Sequence, residues 1–299
     1  MTDAREGQTF AGRAAWVRYV NFVKLPHTVF ALPFALVGAV LATRVAPVTP
    51  AVILWIIVAF TAARFAAMGF NRIADRQLDA LNPRTRSREL PAGAISLAEA
   101  WVSVLLASAI FVVAAWQLNP LCLLLSPVAL AWVFFYSYTK RFTSWSHVVL
   151  GLGLAIAPVG GYLAVAGAWS EPWWMLASLA IAVATWVAGF DVLYALQDVE
   201  FDREHGLFSV PVLAGEHGAL LIARTLHVVT AGALIVAGLG AGLGALYWIG
   251  VAVAAALLAY EHSLVIPGDL SKLDAAFFTM NGVISITFFG FVLLERTLA

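Results

Sequence analysis

The residues with the clearest chemical potential are three polar side chains at every fourth position, Asn71, Asp75 and Asp79. Steps of four residues keep side chains on one face of a helix, so this spacing predicts that all three point the same way. Arg64 stands seven residues before Asn71, inside an apolar run, and falls on the same face. A cation at membrane depth is costly and normally faces a polar cavity with a partner. We therefore expect this helix face to line a binding site.

A second acidic run has the same character. Asp191, Asp198 and Asp202 stand at offsets of 0, 7 and 11, which again predicts one helix face, with Tyr194 beside it. Like charges four residues apart on a helix repel each other, so both runs carry a small cost to stability. Hard oxygen ligands gathered opposite one another suit Mg²⁺, which takes one or two carboxylates and completes its shell with water and substrate phosphates. The two runs together predict a magnesium site.

Basic residues near these runs favour a diphosphate as the group that accompanies the metal. The segment 82–88 reads NPRTRSR, and Lys140 is followed by Arg141. Cations of this kind can grip a diphosphate. Each signal alone has a plainer interpretation, because an Arg-rich segment can simply fix orientation in a membrane and one D-x-x-x-D pair is usually a solvated helix end. Two acidic runs, each followed by Arg and then by a segment with Pro and Gly (90–93 and 210–215), favour the functional interpretation.

The composition identifies the elements that must position these residues. Of 299 residues, 62% are hydrophobic and 11% are charged, whereas an average soluble domain is about 45–50% apolar and about 25% charged. This excludes a soluble globular protein and a disordered chain, and the single cysteine, Cys122, excludes a disulfide scaffold.

Basic and acidic residues number 17 each, which predicts neither nucleic-acid binding nor a polybasic protein of the membrane surface. The six histidines show no metal-ligand spacing and are expected to pack or to lie at an interface.

Nine segments are long and apolar enough to span a bilayer as helices, for which about 20 apolar residues are needed. Little of the chain lies outside these segments, so we expect an all-α integral membrane protein. Residues 1–299 should form one membrane-embedded domain, a single bundle of nine transmembrane helices. The predicted spans are Tyr19–Leu41, Ala51–Phe70, Leu97–Leu118, Pro120–Tyr138, His147–Ala166, Trp173–Leu196, Ala219–Leu239, Leu243–Tyr260 and Ala275–Leu294.

Charges outside these spans predict the orientation. With a cytoplasmic N-terminus, nearly all of the basic residues outside the spans fall on the inner side, and only Arg44 and Arg296 fall on the outer side, which is the asymmetry of the positive-inside rule. Residues 1–18 show no secretory cleavage pattern and are interpreted as a retained cytoplasmic lead-in. Both acidic runs end spans that reach the same inner side, although acids contribute little to orientation. The active site is therefore expected at the cytoplasmic end.

At these residues the sequence resembles the UbiA superfamily of intramembrane aromatic prenyltransferases. The two signatures of that family, N-x-x-x-D-x-x-x-D and D-x-x-x-D on helices of a nine-helix bundle, correspond to Asn71, Asp75 and Asp79 and to Asp198 and Asp202. The stretches that support the resemblance are 24–28 (KLPHT), 82–85 (NPRT), 88–91 (RELP), 138–141 (YTKR), 194–198 (YALQD) and 206–211 (GLFSVP).

Within this superfamily, the sequence is most similar to the bacterial 4-hydroxybenzoate polyprenyltransferase-like group. Arg72 follows Asn71 where enzymes of the ubiquinone pathway show Asn-Asp, and this resembles a branch linked to menaquinone made through futalosine. The resemblance implies transfer of a polyprenyl group from its diphosphate to an aromatic acid, 4-hydroxybenzoate or a dihydroxynaphthoate, at the inner membrane. It also implies Mg²⁺ as the cofactor, contact with membrane lipid, and neither nucleic acid nor an obligate protein partner.

The resemblance also implies roles for particular residues. Arg64 would hold the carboxylate of the acceptor, and Asp191 would act as a base or hydrogen-bond partner of its hydroxyl, with Tyr194 nearby. A lateral opening between helices would admit the isoprenoid tail. The implied metal ligands are Asn71, Asp75, Asp79, Asp198 and Asp202, and the implied diphosphate-binding residues are Lys24, Arg72, Lys140 and Arg141.

Other classes fit the sequence less well. Membrane CDP-alcohol phosphotransferases also use Mg²⁺ and clustered aspartates, but their motif begins D-x-x-D-G, and no such string occurs here. An ion-coupled transporter would carry carboxylates along a path through the midplane, whereas these acids lie at the inner ends of spans. A prenyltransferase with a different acceptor remains an open alternative.

Overall fold

The computed structural model describes residues 10, 14–24, 28–273 and 275–298, and within them the regular elements are helices. A 3₁₀ turn (Ala195–Asp198), a π-helix (Ala275–Met280) and an isolated bridge between Ile266 and Asp269 accompany the α-helices. The α-helices are α1 (Ala15–Phe22), α2 (Thr28–Ala42), α3 (Pro50–Leu81), α4 (Leu97–Leu118), α5 (Pro120–Thr139), α6 (Ser146–Ala166), α7 (Trp173–Tyr194), α8 (Val199–Glu204), α9 (Val210–Ala241), α10 (Ala245–Leu264) and α11 (Asn281–Leu298).

Eight helical stretches of the described chain are long and apolar enough to cross a membrane. Six of them are α3, α4, α5, α6, α9 and α10. The other two are Trp173–Glu204, which comprises α7, the 3₁₀ turn and α8, and Ala276–Leu298, which comprises α11 and all but the first residue of the π-helix. Each corresponds to one of the last eight predicted spans, and α4 matches its predicted bounds at both ends. The prediction of an all-helical, multi-pass membrane protein is confirmed at this level.

The first predicted span, Tyr19–Leu41, is not one helix. α1 ends at Phe22, α2 begins at Thr28, and Lys24 adopts a left-handed conformation with φ of 46°. Residues 25–27 of the KLPHT stretch lie outside the described residues. The apolar part of α2, Ala31–Ala42, is shorter than the eight spanning helices and below the length that crosses a bilayer. At this break, Lys24 and the two residues before it, Phe22 and Val23, are buried.

Local sequence explains where the helices begin. The side chain of Thr49 accepts a hydrogen bond from the Val52 N–H, and Pro50 opens α3. Asn119 and Ser209 cap α5 and α9 in the same way. A polar N-cap side chain satisfies a backbone N–H that has no partner within the helix, and proline is tolerated in the first turn because its missing N–H is not needed there.

Small residues let α2 and α6 pack with their backbones in contact. A Cβ atom built on Gly161 would lie 1.9 Å from the Ala35 carbonyl oxygen, and one built on Gly38 would lie 2.0 Å from the Pro158 carbonyl oxygen. Glycine is used in this way in membrane bundles because it permits close helix approach. α6 also packs on α7, α7 packs on α9, and α11 packs on both α10 and α2, which closes the bundle into a ring.

Candidate active site

One cavity of about 490 Å³ runs between the helices from α2 to α7. One end is lined by the C-terminal halves of α3, α5 and α7 and by the N-terminus of α6, and this end carries both acidic runs. The opposite end is apolar, with Ile56, Leu118, Cys122 and Leu163 among its lining residues. A single space therefore joins a charged region to a long apolar one.

The first acidic run lies on one continuous helix, as its spacing predicts. α3 extends to Leu81, and Asn71, Asp75 and Asp79 all line the cavity. The Asn71 amide donates a hydrogen bond to Asp75 Oδ2 at 3.0 Å. The side chain of Arg64 lines the same cavity two turns earlier. The helix thus brings these predicted site residues together.

The second acidic run differs from the prediction of one helix face. α7 ends at Tyr194, the chain tightens into a 3₁₀ turn, and α8 then begins. A 3₁₀ turn has about three residues per turn, so simple α-helical offsets do not apply across it. Asp191, Tyr194, Asp198 and Asp202 nevertheless all line the cavity.

The two aspartates nearest the Arg-rich segment are held by its arginines. Arg84 donates from Nε to Asp198 Oδ1 at 3.0 Å and from Nη2 to Asp198 Oδ2 at 2.5 Å, a two-pronged ion pair. Asn82 donates to the same carboxylate at 3.2 Å. Arg88 Nη1 lies 2.6 Å from Asp79 Oδ1. The segment 82–88 therefore bridges the two acidic runs.

The residues after α5 hold the other two aspartates. Arg141 Nη2 lies 2.8 Å from Asp75 Oδ1, and Lys140 Nζ lies 3.5 Å from Asp202 Oδ1. These two ion pairs and the two made by the Arg-rich segment form what we call the ion-pair ring: Asp75–Arg141, Asp79–Arg88, Asp198–Arg84 and Asp202–Lys140. Each aspartate of the ring lies against a cation, so the four negative charges of the ring are matched by four positive charges.

Two of the predicted cations contact the backbone of the α1–α2 connection. Arg64 Nη1 donates to the carbonyl oxygens of Val23 at 3.1 Å and Lys24 at 3.4 Å. Arg72 Nε donates to the Phe22 carbonyl oxygen at 3.3 Å, and its Nη1 lies 3.9 Å from Asp79 Oδ2. Lys24, Arg64 and Arg72 also line the cavity. These arginines therefore fasten the broken first segment to α3 at the site.

Four side chains at the site were not assigned from the sequence. Arg84 and Arg88 belong to a segment that the sequence singled out, but the segment alone does not indicate which arginine reaches which acid. His147 was expected only to pack, yet its Nδ1 lies 2.7 Å from Asp191 Oδ2. Tyr136 of α5 is half-buried and lines the cavity.

An aromatic wall completes the site. The ring of Tyr194 stacks on Phe277 with a centroid distance of 4.1 Å, and Phe190 meets Phe277 edge to face at 5.3 Å. All three line the cavity. The Arg84 Nη1 group donates to the Tyr194 hydroxyl at 3.4 Å. Tyr194 therefore connects the ion-pair ring to the aromatic wall.

The donor chemistry of the ion-pair ring fits Mg²⁺. Its carboxylates are the hard oxygen ligands that this ion prefers. Asp79 Oδ2 and Asp202 Oδ1 are buried without a hydrogen-bond donor. Among the described residues, no three Asp, Glu, His or Cys side chains converge closely enough to hold a metal by themselves. A metal here would thus need oxygens from a substrate and from water, which is how Mg²⁺ is usually bound at phosphate sites.

Comparisons with known proteins agree with this architecture. The model of the UbiA prenyltransferase family matches residues 31–283. A 4-hydroxybenzoate octaprenyltransferase from Xanthomonas campestris pv. campestris (strain B100) is 35% identical over 235 residues, which cover 77% of this chain and 76% of that protein. The enzyme of the same name from Citrobacter koseri is 31% identical over 241 residues, which cover 79% of this chain and 82% of that protein.

Solved structures show the same fold. The apo structure of a UbiA homolog from Aeropyrum pernix K1 superposes with a TM-score of 0.83 at 35% identity and covers 91% of this chain and 98% of its own. A UbiA homolog from Archaeoglobus fulgidus, solved with DMAPP and Mg²⁺, has a TM-score of 0.70 at 20% identity and covers 94% of this chain and 100% of its own. The match over most of the chain, together with the two acidic runs on one cavity, means that this protein belongs to the UbiA prenyltransferase family and is a prenyltransferase.

Proposed function

We propose that the protein transfers a polyprenyl group from polyprenyl diphosphate to a ring carbon of an aromatic acid in quinone biosynthesis. The observation that carries this proposal is the cavity between α2 and α7, which joins the ion-pair ring to an apolar region fit for an isoprenoid tail. The acceptor we propose is 4-hydroxybenzoate or a dihydroxynaphthoate. Relatives named 4-hydroxybenzoate octaprenyltransferases support an acceptor of this class.

The ion-pair ring would bind the diphosphate together with Mg²⁺. The metal would supply a Lewis acid that offsets the charge of the leaving diphosphate. Ligands would come from both acidic runs, and the cations of the ring would be freed to hold phosphate oxygens. The proposed metal ligands are Asn71, Asp75, Asp79, Asp198 and Asp202, and the proposed diphosphate-binding residues are Lys24, Arg72, Arg84, Arg88, Lys140 and Arg141.

The acceptor would lie between α3 and α7. Arg64 would hold its carboxylate with guanidinium donors beyond the one bound to the α1–α2 connection. Asp191 would accept a hydrogen bond from its hydroxyl, which raises electron density at the neighbouring ring carbon. Tyr194 and the aromatic wall would face the allylic cation with their π-electrons and exclude water from it.

The reaction balances with these roles. The bond between prenyl C1 and the diphosphate oxygen breaks, and the diphosphate leaves with the electron pair. The ring carbon beside the hydroxyl then forms the new carbon–carbon bond to C1. The proton on that carbon is lost to a base as the ring regains aromaticity, and we assign this role to Asp191, which lines the cavity.

We also propose the membrane arrangement predicted from the charges. The chain would form one domain over residues 1–299 with nine membrane-embedded segments, of which the first is broken between α1 and α2. The N-terminus would lie in the cytoplasm, and the ion-pair ring would lie at the cytoplasmic end of a bundle in the inner membrane. Support comes from the helices themselves, since the ends that carry both acidic runs also carry the basic segments 82–88 and 140–141.

A direct transfer assay tests this function. Detergent-purified protein with Mg²⁺ and geranyl or farnesyl diphosphate is offered 4-hydroxybenzoate in one tube and 1,4-dihydroxy-6-naphthoate in another. Mass spectrometry should detect the prenylated ring with at least one acceptor, and EDTA should abolish it. Asp198→Ala should lose activity, whereas Glu200→Ala, an exposed acid two residues away, should retain it.

Two results would contradict the proposal. Product that forms equally well in EDTA and in Asp198→Ala would mean that the ion-pair ring is not the diphosphate site. No product with either acceptor, from folded protein and also with a longer polyprenyl diphosphate, would overturn the proposed class of acceptor.

A further inference from the structure

His147 contacts Asp191, the proposed base, and is less exposed than it. It stands at the N-terminus of α6, and its side chain is 5% exposed, whereas that of its partner Asp191 is 20% exposed. The imidazole Nδ1 lies 2.7 Å from Asp191 Oδ2. Both residues line the cavity. The carboxylate therefore faces the cavity with the histidine behind it.

A backbone contact from α9 determines which ring nitrogen carries the proton. The Val210 N–H donates to His147 Nε2 at 3.3 Å. A nitrogen that accepts a hydrogen bond carries no proton of its own, so the proton of the neutral ring lies on Nδ1. His147 is thus a donor to Asp191 Oδ2, and Asp191 Oδ1 is left for another donor.

The chain on either side of Val210 is itself held at the site. The Phe208 N–H donates to the Lys140 carbonyl oxygen at 2.8 Å. Ser209 caps α9 through Val212, and the Leu207 N–H donates to the Asp202 carbonyl oxygen at 2.8 Å. Residues 207–210 therefore connect the segments that carry Lys140 and Asp202 to the imidazole, and His147 is held by two neighbouring helices, α7 through Asp191 and α9 through Val210.

We propose that His147 is a positioning residue that orients Asp191 toward the hydroxyl of the aromatic acceptor. Its Nδ1–H group engages Oδ2 and turns Oδ1 toward the substrate, while the Val210 amide keeps the ring in the required tautomer. His147 does not itself touch the acceptor. This role rests on the proposed function, and it predicts that the histidine acts through Asp191 and not through the diphosphate.

A double-mutant cycle with a conservative rescue tests this role. The variants are His147→Leu, His147→Gln, Asp191→Asn and the double variant His147→Leu/Asp191→Asn, with His205→Leu, an exposed histidine, as the matched control. Each is assayed with Mg²⁺ and geranyl diphosphate against 4-hydroxybenzoate and 1,4-dihydroxy-6-naphthoate, and folding is checked by thermal unfolding in detergent.

We expect His147→Leu to lower kcat roughly tenfold or more, as loss of positioning around a proton-transfer group does. The KM for geranyl diphosphate should stay within about twofold of wild type. His147→Gln, whose amide can both donate to Asp191 and accept from Val210, should recover most of the rate. In the Asp191→Asn background, His147→Leu should have little further effect, because coupled residues are not additive.

Three outcomes would overturn the role of His147. The first is an unchanged kcat in His147→Leu. The second is a fall in kcat caused by His147→Leu that is as large in the Asp191→Asn background as in the wild-type background. The third is a rise in the KM for geranyl diphosphate by the same factor as the fall in kcat, which would indicate general disruption of the site. Failure of the proposed function has a different signature. Wild-type protein would then give no prenylated product with either acceptor, and the role of His147 would fall with it.

Discussion

At the scale of single residues, the arginines of the ion-pair ring do more than balance charge. Arg84 meets Asp198 with two parallel hydrogen bonds and also reaches the Tyr194 hydroxyl. A planar guanidinium recognises a phosphate with the same two-pronged geometry as a carboxylate, whereas an ammonium group is a point charge. Arg84 is therefore already arranged to receive a phosphate oxygen in place of the carboxylate.

Replacement of Arg84 should weaken diphosphate binding. A hydrogen bond to a charged group contributes about 1.5–3 kcal/mol, so Arg84→Ala should raise the KM for geranyl diphosphate roughly tenfold or more. The KM of Arg84→Lys for geranyl diphosphate should lie between those of Arg84→Ala and wild type, because lysine keeps the positive charge but cannot donate two parallel hydrogen bonds. Steady-state kinetics at saturating acceptor would measure this. Arg76→Ala, an exposed arginine of α3, is the control, and an equal effect in both variants would contradict the assignment.

The residues of the site were predictable by type and spacing but not by partner. The spacing of Asn71, Asp75 and Asp79 predicts a common helix face, and all three line the cavity. Arg84 and Asp198, in contrast, stand 114 positions apart, and His147 and Asp191 stand 44 apart. Contacts between such distant positions depend on how helices pack, and periodicity within one segment carries no information about that.

At the scale of elements, the contact of α2 with α6 shapes the cavity. Both helices contribute lining residues, and glycines let their backbones touch. Hydropathy predicted the position of α6 well, because a uniform apolar run of spanning length leaves few alternatives. It failed for the first segment because hydropathy averaged over many residues does not detect a break at one residue. That break is at Lys24, whose left-handed backbone conformation separates α1 from α2.

A methyl group at Gly161 should push α2 away from α6. The added Cβ would lie 1.9 Å from the Ala35 carbonyl oxygen, a backbone atom that cannot rotate aside. Overpacking of this kind costs about 1–3 kcal/mol, so Gly161→Ala should lower the Tm in detergent and reduce activity. Gly160→Ala is the matched control because nothing lies within 4 Å of its added Cβ. Equal Tm values for the two variants would show that the helices are not in tight contact.

At the scale of the whole molecule, the bundle is closed by its last helix. α11 packs between α10 and α2, and Glu295 near its end is buried. The Glu295 carboxylate accepts hydrogen bonds from the backbone N–H groups of Gly244, Leu246 and Tyr247 at 2.5, 3.1 and 3.4 Å. It thus caps α10 from another helix, since the first N–H groups of a helix have no partner within it.

Loss of this cap should destabilise the bundle without affecting the chemistry. Glu295→Ala removes the acceptor of three N–H groups, among them that of the buried Tyr247, at a cost of about 1–3 kcal/mol, so its Tm should fall well below that of wild type. Glu295 does not line the cavity, so kcat at low temperature should be unchanged. Thr297→Ala, an exposed position whose hydroxyl bonds only its own helix among the described residues, is the control. A Tm of Glu295→Ala equal to that of wild type would mean that apolar packing alone holds α11 in the helix bundle.

The ion-pair ring also has a kinetic consequence. Each of the four aspartates in the ring has its own cation at hand, and each of the four cations in the ring has its own aspartate. Such tethered partners act as intramolecular competitors at a high effective concentration. In the proposed function they would weaken the hold on the inorganic diphosphate product, because re-formed ion pairs would displace it from both sides. Ion pairs within the empty site would thereby lower its affinity for diphosphate and speed release of the leaving group.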